Sequence, residues 1–169
     1  MCRTDGQAKE LSVCRKSICT VLRRHSNANL VFIGDGADRA ELEHAVHDEG
    51  VTSSVLMLGV REDINELYSM LDTFFMPSLY EGLPVSCVEA QAAGLHCVYS
   101  TDVPRESDIT GTGIFVDLTA DYGTWSNALE EMYIRDRSTQ NPELLALKGY
   151  SAKENAEALT QYYERLVIE

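Results

Sequence analysis

The five cysteines of this sequence (Cys2, Cys14, Cys19, Cys87, Cys97) are scattered, with no C-x-x-C pair among them. That argues against a disulfide framework or a cysteine-based metal site, and it favours a reducing cytoplasm. No apolar run is long enough to span a bilayer and no secretory leader is visible, so neither is expected. Internal repeats and low-complexity segments are absent. Positive charge is scarce: 14 Lys/Arg stand against 27 Asp/Glu, a net charge of −13. Such a chain repels a phosphate backbone, which excludes nucleic acid as a partner. Histidine offers little either. His44 and His47 lie one helical turn apart and read as a surface pair without further ligands. His96 precedes a strand and reads as structural.

What remains is an ordinary apolar share, 44% over 169 residues, enough for one domain spanning residues 1–169 with its own core. The charge is uneven. Residues 1–25 hold six Lys/Arg and two Asp/Glu, a local +4, so the remainder carries −17. The cluster Arg15, Lys16, Arg23, Arg24 reads as the solvated face of a first helix, with peripheral contact to an anionic membrane or partner as the other use.

Strand-like and helix-like segments alternate. Leu11, Cys14, Ile18, Val21 and Leu22 mark a helix face, and Leu30 to Ile33 a short buried strand. Leu42, Ala45 and Val46 mark a helix that Gly50 ends. A strand over 54–58, a helix through Ile64, Leu67 and Leu71, and a strand over 73–76 follow. Beyond them come strands at Cys97–Tyr99 and Gly113–Val116 and helices at about 122–134 and 142–148. The last helix opens on the capping box Ser151 to Glu154 and carries the stripe Ala156, Leu159, Tyr163, Leu166, expected to pack on the core. This alternation predicts an α/β fold, a Rossmann-like parallel sheet flanked by helices. Ligands of such sheets bind beyond the strand carboxyl ends, where Gly34-Asp35-Gly36, Gly59-Val60-Arg61 and Glu81-Gly82 would line one crevice.

The most informative stretch is Pro77 to Gly94. Pro77 ends the strand over 73–76, since proline cannot donate to a ladder. Tyr80-Glu81-Gly82 turns, and Pro84 reads as the first residue of a helix. The free N–H groups of Leu83, Val85 and Ser86 and the helix dipole would form an anion site suited to phosphate. On that helix Val85, Val88 and Ala92 share the apolar face, with Glu89 at its edge. A carboxylate placed there needs a partner, and a ribose diol supplies two hydroxyl donors. The competing reading is a surface Glu or a salt bridge.

These residues resemble the carboxyl-terminal, donor-binding half of the GT-B-fold retaining glycosyltransferases known as group 1 or family 4. Leu30 to Gly36 is similar to the family's strand ending in Gly-Asp-Gly, and Leu58 to Ile64 to the loop beside the nucleotide base. Glu81 to Glu89 matches its Glu-x7-Glu signature, continued by Ala90 to Gly94. The branch most alike makes capsular and extracellular polysaccharide. The resemblance implies a UDP- or GDP-type nucleotide-sugar donor, retention, no cofactor and no metal. It implies Glu81 as the catalytic candidate, touching donor-sugar hydroxyls, and Glu89 on the ribose. Gly34, Arg61, Gly82, Leu83, Val85 and Ser86 complete the donor site, with Lys9 in the place of the diphosphate-binding lysine. The arginine that precedes that lysine has no clean counterpart, Arg3 being about one residue off. Pro84 removes one amide that the glycine version of the motif offers.

Two departures carry weight. The amino-terminal acceptor domain of the family is missing from residues 1–169, so such a domain, on the same or a separate chain, is the expected partner. The first central strand is missing or cut to Met1-Cys2-Arg3, which should leave a gap in the sheet with unpaired backbone on both sides. Other readings are a nucleotide-sugar epimerase, for which no histidine is placed, a non-catalytic nucleotide-sugar-binding or regulatory module, and a dinucleotide site, for which Gly34-x-Gly36 lacks its third glycine.

Overall fold

In the computed structural model, residues 8–137 and 143–168 are described. The elements run α1 (Ala8–Arg24), β1 (Leu30–Phe32), α2 (Arg39–Asp48), β2 (Val55–Met57), α3 (Ile64–Met70), β3 (Thr73–Met76), α4 (Val85–Ala92), β4 (His96–Ser100), β5 (Ile114–Val116), α5 (Tyr122–Ile134), α6 (Glu143–Leu147) and α7 (Ala152–Ile168). The order matches the expected alternation; β1, β2 and β5 are trimmed, β3 has the expected bounds, and β4 is longer by one residue at each end, taking in His96 and Ser100. Ile33 falls outside β1, and the second strand is shorter than 54–58. Gly50 follows α2 at φ +69°, a left-handed stop that glycine adopts without strain.

Every strand pair is parallel. Leu30 pairs with Val55 in β1–β2, Thr73 with His96 in β3–β4, and Val98 with Ile114 in β4–β5. The pairs form two sheets, β1-β2 and β3-β4-β5, with no ladder between β1 and β3 among the described residues. The break falls where the sequence led us to expect a gap in the sheet. A cavity of about 530 Å³ occupies it, lined by Leu30 and Val31 on one side and Thr73 and Phe75 on the other. The buried Thr73 hydroxyl at this edge has no hydrogen-bond partner. Residues leading into β1 and into β3 share this cavity. Both strands therefore start at the same end of the molecule, and their carboxyl ends share the opposite one.

Two apolar clusters cover the two sheet faces, as the period of two along a strand requires. Phe75 and Val98 point into the cluster built by Val13, Ile18 and Leu22 of α1 and Trp125 and Met132 of α5. Phe74, Met76, Cys97 and Tyr99 point the other way, onto Tyr68 of α3 and Cys87 and Ala90 of α4. Phe32 of β1 also belongs to the first cluster, so α1 and α5 bridge the split sheet. The Phe75 and Trp125 rings meet edge-on at 5.5 Å, and the indole N–H donates to the Asp117 carbonyl at 3.1 Å.

Three basic residues of α1 are engaged within the chain. Arg23 donates to Glu49 at 2.6 Å, Arg24 to Glu130 at 3.2 Å, and the Lys16 ammonium lies 4.9 Å from the Tyr122 ring centre. Met1 to Arg3 lie outside the described residues, and the side chains of Lys9 and Arg15 do as well.

One expectation is overturned. α7 does not enter the core: residues 152–166 are exposed along their length, including Leu159, Tyr163 and Leu166 of the stripe. Periodicity specifies a face, not the surface it meets, and α1 with α5 and α3 with α4 already close both sheet faces. The capping expectation is met in one direction, the Glu154 N–H donating to Ser151 Oγ at 3.3 Å. Ending the chain after Tyr150 should therefore change unfolding free energy in urea by less than about 0.5 kcal/mol. A loss of several kcal/mol would show that α7 packs on the core in solution.

Candidate functional site

The site is built around the entry to α4. β3 ends at Met76, and Ser78, 5% exposed, follows Pro77. The Ser78 carbonyl accepts from the Ser100 hydroxyl at the end of β4, which ties the turn to the sheet. The Ser78 hydroxyl lies 3.0 Å from Glu81 Oε1, its strongest acceptor, and 3.1 Å from the Met76 sulfur. Glu81 is thus half-buried and held at the strand's carboxyl end.

Pro84 is not the first helical residue. It is the N-cap, with extended backbone (φ −70°, ψ 113°), and its carbonyl accepts from the Cys87 N–H at 3.0 Å. Val85 and Ser86 are then the first two helical residues, whose N–H groups have no intrahelical acceptor. Gly82, Leu83 and Val85 are exposed and Ser86 is half-buried, so the amide-bearing turn is open to a ligand.

The buried face of α4 also differs from expectation. Cys87, Ala90 and Gln91 are buried, while Val85 and Ala92 are exposed and Val88 is half-buried. Gln91 decides this register. Its amide nitrogen donates to the Cys87 carbonyl at 2.9 Å and the Ser107 carbonyl at 2.7 Å, and its oxygen accepts from the Thr110 N–H at 3.0 Å. Satisfied on both ends, a glutamine is tolerated inside.

Glu89 follows from that register. It lies on the exposed side of α4, away from any buried stripe. Its carboxylate accepts from the hydroxyl of Tyr68 on α3 at 3.3 Å. Tyr68 itself is 0% exposed, and the same hydroxyl stands 3.3 Å from the Ser86 carbonyl. Burial first, and then the Glu89 charge, push the phenol well above its ordinary range, so it stays a proton donor.

Gly34 and Gly59, at the ends of β1 and β2, are joined by the Gly34 N–H donating to the Gly59 carbonyl at 2.7 Å. Gly34 sits at φ +119°, a backbone that side chains disfavour. Arg61, beyond Gly59, is clasped by Asp63 through two bonds of 2.8 and 2.5 Å, on the surface. The carboxylate raises the Arg61 pKa, and the guanidinium holds Asp63 below its ordinary range.

The structure thus brings Gly34 together with the Arg61 loop, and frames the start of α4 with Glu81 and Glu89. Lys9 lies on α1, with its side chain outside the description. Sequence reasoning missed Tyr68 and Ser78. Tyr68 sits beside Leu67 on the buried side of α3 and Ser78 in the turn after Pro77, and neither residue type signals a role at that place. It also missed Arg39, whose guanidinium lies 3.6 Å from where a Gly59 side chain would begin, and which pairs with Glu43 at 2.9 Å. His44 and His47 are both exposed, and buried His96 has its Nε2 3.2 Å from the Asp136 carbonyl.

Comparison with known proteins adds a second line. The family model described as "Glycosyl transferases group 1" matches residues 1–134. The putative glycosyltransferase EpsF of Bacillus subtilis is 38% identical over 138 residues, covering 79% of this chain and 36% of that protein. A UDP-Gal:alpha-D-GlcNAc-diphosphoundecaprenol alpha-1,3-galactosyltransferase of Escherichia coli is 38% identical over 71 residues, 41% of this chain and 18% of that one. The chain therefore spans well under half the length of these relatives. Among solved structures, the C-terminal domain of a group 1 glycosyl transferase (LpcC) from Francisella tularensis superposes with a TM-score of 0.69 at 18% identity, over 89% of this chain and 85% of that domain. At that identity the likeness shows the fold.

The Arg61–Asp63 clasp yields a titration test. A depressed Asp63 pKa contributes stability above the unfolded value, near pH 4, and that contribution is lost as pH falls through the folded value. Carboxyl NMR should place the Asp63 midpoint below that of a free aspartate and return it to normal in Arg61→Gln. An ordinary midpoint in the parent chain would show that the clasp does not persist in solution.

Proposed function

Because this chain belongs to the glycosyl transferases group 1 family, we propose that it forms the nucleotide-sugar donor-binding part of a retaining glycosyltransferase. The carrying observation is the frame at the start of α4. Two carboxylates, each bonded to a buried hydroxyl, flank exposed amides at a strand carboxyl end. That combination fits a ligand with hydroxyls at both ends and a diphosphate between them.

In this reading Glu89 accepts from the ribose diol and Glu81 from hydroxyls of the transferred sugar. The Gly82 to Ser86 backbone and the dipole of α4 meet the diphosphate. Arg61, Gly34 and Lys9 complete the site, Arg61 by trading Asp63 for phosphate. When the glycosidic bond breaks, negative charge grows on the departing diphosphate, and donors already in place stabilise it more than they stabilise the intact donor. Glu81 acts as the catalytic candidate by orienting the sugar for that cleavage. The acceptor would come from a further domain, in the same or a separate chain.

The donor is read as a UDP or GDP sugar, the UDP choice drawing on the name of the galactosyltransferase relative. Polysaccharide or glycoconjugate synthesis is the wider role. The buried thiols of Cys87 and Cys97, outside any disulfide, accord with a cytoplasmic setting. Within the α1 cluster, Arg23 and Arg24 are paired with Glu49 and Glu130 and so partly neutralised toward an anionic surface.

Calorimetry with UDP and GDP tests the reading. The parent chain should bind one of them, and Glu89→Ala should weaken that binding about tenfold or more, the scale of hydrogen bonds to a charged group. Absence of heat from a folded sample, or equal binding by the variant, would contradict it.

A second reading, a nucleotide-sugar-binding subunit that acts only with a partner chain, draws on the lack of a ladder between β1 and β3 among the described residues. Sugar transfer that appears only when this chain is mixed with a co-purifying acceptor-domain polypeptide would support it. Transfer by this chain alone would remove it.

A further inference from the structure

We propose that Tyr68 is the positioning residue of the donor site: its buried hydroxyl aims the Glu89 carboxylate so that the site selects ribonucleotides over nucleotides lacking the diol. The inference rests on the donor-site reading above and adds to it a residue on a different helix.

Three observations carry it. Glu89 is exposed, and among the described residues the Tyr68 hydroxyl is the one group bonded to its carboxylate, at 3.3 Å. Without that bond a surface glutamate turns freely about three side-chain torsions, and ordering it on ligand arrival costs binding free energy. Tyr68 cannot turn in the same way. It is 0% exposed, packed among Phe74, Cys87, Ala90 and Leu95, with its ring tilted against Phe74 at 6.3 Å. Its hydroxyl is therefore a fixed point at the boundary between core and surface.

The third observation is proton accounting. A phenol has one proton to donate, and here two acceptors stand at 3.3 Å, the Ser86 carbonyl and Glu89 Oε2. The carboxylate is the stronger acceptor. Donating to Oε2 leaves Oε1 free for an incoming hydroxyl. Because Glu89 and Ser86 both belong to α4, fixing the carboxylate also fixes where it stands relative to the amide-bearing end of that helix. Ribose and diphosphate contacts are thereby held in one fixed relation.

The test uses the full chain and four proteins: the parent, Tyr68→Phe, Glu89→Ala and the double variant. Calorimetry is run with whichever of UDP and GDP binds more tightly, and with its 2′,3′-dideoxy counterpart. Tyr68→Phe should weaken ribonucleotide binding about tenfold, leave dideoxynucleotide binding unchanged, and add nothing in the Glu89→Ala background. Retained dideoxynucleotide binding shows that the phenylalanine variant is folded. Parent-like ribonucleotide binding by Tyr68→Phe, or equal weakening toward both nucleotides, overturns the positioning role while the donor site stands. Parent-like binding by Glu89→Ala overturns the donor-site reading and this inference with it.

Discussion

Everything about the site depends on how α4 sits on β3 and β4. Its docking face is Cys87, Ala90 and Gln91, and the last of these is held by the Ser107 carbonyl and the Thr110 N–H. Unpairing those groups would strand buried polar atoms, at on the order of 1–3 kcal/mol each. This locks the rotation of an eight-residue helix too short to be stable alone. With rotation set, Glu89 faces outward beside Tyr68, and the first-turn amides face the turn that carries Glu81.

The sheet shows how much a fold of this kind tolerates. Among the described residues β1-β2 and β3-β4-β5 share no ladder, yet α1 and α5 span both, and Phe32, Phe75, Val98 and Trp125 belong to one cluster. Apolar burial across the gap holds the halves where hydrogen bonds do not. The cost is visible in the cavity between Val31 and Thr73 and in the unpartnered Thr73 hydroxyl. Both lie at the strands' amino ends, while Gly34, the Arg61 loop and the Ser78–Glu81 turn lie at the carboxyl ends.

The parts legible in the sequence were those set by short-range rules. Strands followed from runs such as Thr73 to Met76, and helix ends from Gly50 and Ser151. The sheet gap followed from comparing the strand set with the resembled fold. What was not legible depended on tertiary partners. Gln91 reads as solvent-facing until Ser107 and Thr110, sixteen and nineteen residues on, satisfy it. Tyr68 reads as core, which it is, but the function of its hydroxyl appears only when α3 lies against α4. The stripe of α7 is real and meets no surface of the core. Pro84 carries the same φ whether it caps a helix or begins one, so only its ψ of 113° separates the two.

The central claim is that Glu89, presented outward by the docking of α4, receives the ribose of a nucleotide. A crystal structure of the chain grown with UDP or GDP tests it most directly. The account predicts a ribose hydroxyl within about 3 Å of the Glu89 carboxylate and the diphosphate against the first turn of α4. A nucleotide bound elsewhere, with Glu89 facing bulk water, would contradict it.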